Sequence, residues 1–443
     1  MKRRTLEDLK PVLTRRQFLQ LSGAAAGAAT LNLGFVPRIF AGGTTRKVLV
    51  YVFLRGGIDG LALLPPIDGP DYGHLVDARD RTLVDINDSD QSRRPLTIPN
   101  GQNLGMHPYL GSGGLRSIYF NGGSPDGGMA IVQAVGHPSG AYTRSHFDAQ
   151  EQIEFGQPLK TDGTGPGLPA MGWLSRYLAT SPGVPAPGAI FTAMVSGNNP
   201  PTSLAGWSDV ATLDTPDNFS PNTGTFGSTH LATLSSLYGG AGELDVAAGA
   251  ALDAIELING MEFDSYTPGS PTEYPDNSEG RDFKLIAQLI RQNIGIACAT
   301  VDIGGWDTHN DQNVFGGGFG SNLEDLNDAL TAFYRDLEGA GYIDDVAIVV
   351  QSEFGRQVKE NASFGTDHGL GNPMFILGGG VKGRRVYGTT LGIAPADRIG
   401  DSVVPQTDFR NVLAEVAVGL LGHPDVEALF PDLDYDPVGF STA

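Results

Sequence analysis

Neither Lys47-Val48-Leu49-Val50-Tyr51-Val52-Phe53-Leu54 nor Val346-Ala347-Ile348-Val349-Val350 alternates polar with apolar residues. A strand with one face in water would alternate. These two runs must therefore be buried on both faces, as in a parallel sheet covered by helices. Met129 to Val135, Ile296 to Val301 and Met374 to Leu377 read as further strands of the same kind. Helical stripes separate them. From Asp282 to Asn293 the apolar residues Phe283, Leu285, Ile286, Leu289 and Ile290 share one face, and from Asn322 to Leu337 the residues Leu323, Leu326, Leu330, Phe333 and Leu337 do the same. Ser321 and Glu324 predict a capping box for the second helix. Asp408 to Leu421 predicts a last helix. This alternation is that of an α/β fold, a mostly parallel sheet sandwiched by helices. Such sheets place ligand sites off the carboxyl ends of their strands.

The stretch 181–280 is rich in Gly, Pro, Ser, Thr and Asn and poor in charge, and reads as an insertion or cap beside the active face. Asp68 to Asn103 and Tyr266 to Glu279 read as long surface loops. At the amino end, Thr14-Arg15-Arg16-Gln17-Phe18-Leu19 is a twin-arginine export motif. A weakly apolar Ala/Gly-rich region to Val36 and Ile39-Phe40-Ala41 follow it. The expectation is a signal peptide over 1–41, an α/β domain over 42–443, and a place in the periplasm or on the cell surface. The twin-arginine translocase would be the partner during export. The 1–41 segment is short and diluted by glycines, so a membrane span is not expected there or elsewhere.

Charge excludes some partners. The chain has 50 acidic and 29 basic side chains, a net −21. The first 41 residues hold seven basic side chains against Glu7 and Asp8, so removing their +5 leaves −26 on the rest. Nucleic acid and anionic lipid are repelled by such a surface. An anionic ester would need a cationic centre. Cys298 is the one cysteine and lies in an apolar run, which reads as core and excludes an intrachain disulfide.

The chemistry gathers after the strands. Asp59 follows Gly56-Gly57, where glycines allow close approach of backbone to a ligand. It reads equally as a metal ligand and as a helix cap. In Tyr142-Thr143-Arg144-Ser145-His146-Phe147-Asp148, Ser145 reads as a metal-activated nucleophile with Arg144 clamping an anion, or as a helix N-cap. Asp307 and His309 are two apart in a turn after Gly304-Gly305 and both can reach one ion. His368, with Asp367 as ligand or orienting acceptor, sits in a glycine-containing loop. Glu353 ends an apolar strand, where a carboxylate is costly unless paired or metal-bound. Arg356, three residues on, is its nearest candidate partner.

Phe53-Leu54-Arg55-Gly56-Gly57-Ile58-Asp59-Gly60, Arg144 to Phe147, Gly304 to His309, Ser352 to Arg356, Gly365 to Gly369 and Thr407 to Arg410 appear in one ordered set. With the twin-arginine start, this set resembles the exported family named domain of unknown function 1501, which is grouped with the alkaline phosphatase-like superfamily of sulfatases and phosphomutases. The resemblance implies one or two divalent metals, zinc, manganese or calcium, around a Ser or Thr nucleophile. It would make Asp59 a first metal aspartate, Ser145 the nucleophile, Asp307 with His309 an Asp/His metal pair, and His368 a later metal histidine. Two features depart from the superfamily: Glu353-Phe354 stands where Asp-His is usual, and Asp307 and His309 are closer together than the usual pair.

The expected function is hydrolysis of phosphate or related esters by a metal-dependent exported enzyme, with metal at Asp59, Asp307, His309, Glu353, Asp367 and His368. Arg144 or Arg356 would offset charge on the transferring group. The rival expectation is a non-catalytic periplasmic or surface protein that keeps the fold for binding.

Overall fold

Alternate residues of the first strand, β1 (Val48–Leu54), divide between two cores. Val48, Val50, Val52 and Leu54 face one core, and Leu49, Tyr51 and Phe53 the other, so the unbroken apolar run has water on neither side. The computed structural model describes residues 47–442, apart from 100–101, 122–126, 160–166, 168, 186–188, 190, 198, 214–226, several positions between 241 and 264, and 390. The twin-arginine segment lies outside the described residues.

Among the described residues the main sheet has nine strands. With β1 they include β2 (Met129–Gly136), β3 (Ala193–Ser196), β4 (Val210–Leu213), β5 (Cys298–Ile303) and β6 (Val346–Ser352). A small antiparallel pair outside the sheet, β7 (Arg356–Glu360) and β8 (Thr366–His368), leads into β9 (Asn372–Gly378), β10 (Arg385–Tyr387) and β11 (Thr407–Asp408). The order across the sheet is β10-β2-β9-β6-β1-β5-β3-β4, with β11 also on β2. Every pairing is parallel except those of β9, which runs against both β6 and β2. The carboxyl ends of β1, β2, β5 and β6 therefore share an edge with the amino end of β9.

Seven helices frame the site and its supports: α1 (Gly60–Leu63), α2 (Gly69–Ala78), α3 (His146–Phe155), α4 (Trp173–Thr180), α5 (Ser278–Arg291), α6 (Phe319–Gly339) and α7 (Phe409–Glu415). On one face, α5 and α6 bury Phe283, Leu289, Leu323, Leu330 and Phe333. On the other, Trp173 and Leu174 of α4 and Phe409 and Val412 of α7 cover Tyr51 and Val349. Cys298 is buried among them. The capping box expected at Ser321 does not form. The helix α6 starts a turn earlier, at Phe319 behind Gly318, and the Ser321 hydroxyl instead accepts from the Gly317 N–H at 2.9 Å. A glycine with positive φ was free to continue the turn backward where a larger residue would have stopped it. The last helix spans the expected stretch: α7 runs to Glu415 and one π-helical turn, Val416–Leu420, continues it. Among the described residues no helix is long and apolar enough to cross a membrane.

Candidate metal centre

A glycine lets the loop after β1 touch the loop after β5. Gly56 has φ +123°, and a β-carbon there would fall 2.5 Å from the Asp307 nitrogen. Arg356 then ties three loops together from a position only 1% exposed. Its guanidinium donates to the carbonyls of Gly57 (2.7 Å), Thr366 (2.8 Å), Trp306 (3.0 Å) and Gly56, and to Asp307 Oδ1 (2.6 Å). The planar fork of arginine is suited to this, since its five N–H groups point in fixed directions.

Three imidazoles converge on that same Asp307 oxygen. His309 Nε2 and His368 Nε2 both lie 3.1 Å from Asp307 Oδ1, and His146 Nε2 lies at 3.4 Å. The Nε2 atoms of His309 and His368 are 2.8 Å apart. What stands behind each ring decides its tautomer. His309 Nδ1 faces Asp367 Oδ1 at 2.9 Å, His146 Nδ1 faces Glu353 Oε1 at 2.7 Å, and His368 Nδ1 faces the Arg144 carbonyl at 2.7 Å. All three partners only accept, so each Nδ1 carries the proton and each neutral ring turns a lone pair inward at Nε2. His146 Nε2 is buried with no hydrogen-bond partner.

Three inward lone pairs and a carboxylate oxygen this close together would repel one another unless a cation joined them. Three imidazoles and one carboxylate are a donor set for a borderline ion such as zinc and a poor one for calcium, which takes oxygen. The residues present thus fit a divalent metal: His146, His368 and Asp307 offer ligand atoms all within 4.8 Å of one another, and His309, against His368 and Asp307, would be the fourth donor.

Electrostatics follow the same pattern. Burial alone would raise the Asp307 carboxyl, but the hydrogen bond from Arg356 and the positive charge of its guanidinium hold it well below the usual carboxylate range. The hydrogen bond to Glu353 raises His146 above the ordinary histidine value, against the effect of burial. Burial lowers His368. Glu353 would be raised by burial, yet donors from His146 and Gln150 lower it. Its Oε1 also takes the Gly56 N–H at 2.9 Å and Gln150 Nε2 at 2.8 Å.

Of the residues singled out in the sequence, the structure brings Asp307, His309 and His368 together. It places Glu353 and Asp367 one bond further out, as acceptors that orient His146 and His309, because their near oxygens already take two or three donors. Asp59 is elsewhere. Fully buried, it takes Arg79 Nη1 at 2.6 Å and Nη2 at 3.0 Å, caps α1 through the Leu61 and Ala62 N–H groups, and accepts from Gln312 at 2.6 Å. With its oxygens so filled, no ligand capacity remains. Arg356 pairs with Asp307 and not with Glu353, and its donors are spent on carbonyls. Arg144 Nη2 is anchored on the Ile399 and Gly400 carbonyls and the Ser402 hydroxyl. Ser145 is the N-cap of α3, accepting from the Asp148 N–H at 3.4 Å.

The residue missed in the sequence is His146. It stood in view beside Ser145, but strand-like alternation would send adjacent side chains to opposite faces. In the structure it opens a helix, where that rule does not apply. Glu353→Leu tests the orienting role. A side chain with no acceptor leaves the His146 Nδ1 proton unpaired, and metal affinity is expected to fall about 10- to 100-fold by metal titration, with the fold intact by circular dichroism.

A family model described as "Protein of unknown function (DUF1501)" matches residues 46–414. The chain belongs to the DUF1501 family. No curated protein matches it. Three solved structures are similar at low identity. Ps i-CgsB in complex with k-i-k-neocarrahexaose is 10% identical, covers 87% of this chain and 74% of that one, and has a TM-score of 0.36. The lipoteichoic acid synthase LtaP from Listeria monocytogenes is 11% identical, with 84% and 73% covered and a TM-score of 0.29. The PH0037 protein from Pyrococcus horikoshii is 14% identical, with 76% and 87% covered and a TM-score of 0.21. At such TM-scores the fold and chemistry of this DUF1501 chain rest on its own geometry.

Proposed function

We propose that this DUF1501 protein is an exported metal-dependent hydrolase of phosphate or related esters, built on an alkaline phosphatase-like fold. The observation that carries the reading is the inward convergence of three oriented Nε2 lone pairs and Asp307 Oδ1 at the carboxyl edge of a mostly parallel sheet. A divalent ion there supplies Lewis acidity toward an ester oxygen. The protein's own part is to hold His146, His309 and His368 in one tautomer and to fix Asp307 through Arg356. Export to the periplasm or cell surface belongs to the same reading and is supported by Thr14 to Leu19.

The rival, a binding protein without catalysis, shares the centre and differs in turnover. The test is elemental analysis of protein purified without chelators, followed by a panel of aryl phosphate and sulfate esters. One ion per chain with turnover that chelation abolishes is expected. A folded, metal-free protein would overturn the reading, and bound metal without turnover would favour the rival.

Ser145 is assigned the cap and water the attack. Ser145→Ala should then cost about 0.5–2 kcal/mol of stability and leave turnover in place. Loss of turnover with the ion retained would instead make Ser145 the nucleophile.

A further inference from the structure

We propose that the centre selects singly charged esters, of the phosphodiester or sulfate monoester kind, and disfavours doubly charged phosphate monoesters. This rests on the ester-hydrolase reading above and narrows its substrate.

Charge around the four donors is the reason. The three imidazoles are neutral, since each gives its one ring proton to an acceptor at Nδ1. A divalent ion and the Arg356 guanidinium are therefore the positive charges of the centre. Three carboxylates oppose them within one or two bonds: Asp307 at the ion itself, Glu353 behind His146 and Asp367 behind His309. These charges offset one another, leaving the loaded centre close to neutral. A dianion would arrive with both of its charges uncompensated, in a protein whose net charge is already −21.

Nearby arginines make up little of the difference: Arg55, Arg79 and Arg356 are committed within the protein, and Arg144 is tied down through Nη2. Arg55 lies between Asp302 and Glu154, at 2.8 Å from each, and donates to Gln150. Arg79 is locked on Asp59. Arg144 lies along Gly400, held by two carbonyls and the Ser402 hydroxyl. Arg356 donates to four carbonyls and Asp307. Dianion recognition ordinarily relies on an arginine fork free to bond the ester oxygens.

In the hydrolysis, the water oxygen bonds to phosphorus or sulfur as the bond to the leaving oxygen breaks, and the water's proton goes to the departing oxygen.

The experiment uses the full chain reconstituted with zinc. Calorimetric titration compares diphenyl phosphate, a monoanion, with phenyl phosphate as its dianion. Turnover compares bis-p-nitrophenyl phosphate, p-nitrophenyl sulfate and p-nitrophenyl phosphate. The expected result is that diphenyl phosphate binds more tightly, and that kcat/KM for the diester or the sulfate exceeds that for the monoester by roughly tenfold or more. The two singly charged substrates then tell phosphorus from sulfur chemistry. Equal or better binding and turnover of the monoester would overturn this proposal alone. No turnover of any ester by the zinc-loaded chain would overturn the hydrolase reading and this one with it.

Discussion

Replacing His368 with alanine should empty the centre. Its ring is one of four donors, and it is the one whose Nε2 touches both Asp307 and His309. If protein zinc sites bind with about 10–16 kcal/mol, losing one donor in four removes roughly 3 kcal/mol, more than two orders of magnitude in Kd. Elemental analysis and competitive titration should read this loss, and turnover should vanish with it. His309→Ala should behave alike, whereas Asp367→Ala should weaken binding less, because it frees the His309 ring to turn without deleting a donor. Metal retained at full stoichiometry in His368→Ala would remove that histidine from the centre. The affinity should also fall as pH drops, since protons compete for the same lone pairs. His146 is raised by its hydrogen bond to Glu353, so it takes up a proton at higher pH than an ordinary histidine. The decline should therefore begin above the unperturbed histidine value of about 6.5.

The second large effect lies beneath the centre. Asp59→Ala should cost about 3–5 kcal/mol, because it leaves the Arg79 guanidinium buried without its counter-charge. Urea unfolding would show the loss, and the folded fraction should still bind its ion at full stoichiometry. Replacing both partners by leucine should recover most of the stability, since an apolar pair avoids the desolvation that each charge pays. If Asp59→Ala instead loses the ion while remaining stable, Asp59 is a ligand after all and the Arg79 pairing is not the resting arrangement.

These two variants mark where the sequence could and could not be read. The strands at Val48 to Leu54 and Val346 to Val350 were legible because burial on both faces leaves no polar residue in a run. The loops carrying Asp307, His309 and His368 were legible because charged residues just past such runs have few other reasons to be there. Local spacing misled elsewhere. Arg356 lies three residues from Glu353, yet β6 has ended at Ser352 and the arginine, opening β7, turns to the loops after β1 and β5. Glu353 turns the other way, to His146, 207 residues off in sequence. The partner of Asp59 was hidden for the same reason: Arg79 sits in a charged stretch, Asp77-Ala78-Arg79-Asp80-Arg81, that reads as solvent-exposed. Contacts made across the chain leave no periodicity behind, and a helix start at His146 cannot be told from a turn by its own residues.

The reversed strand β9 bears on the order in which the molecule assembles. Because β9 runs against its neighbours, His368 reaches the carboxyl edge just before the strand begins, and meets the carbonyl of Arg144 across 224 residues of chain. Asp307 and His368 are themselves 61 apart. No short segment holds enough donors to grip an ion while the chain is still open. Closing such long loops is slow and is repaid only once the sheet has formed. An ion would thus be a late arrival, captured by a nearly finished scaffold. Chelators should strip the centre while leaving most of the protein's resistance to urea in place.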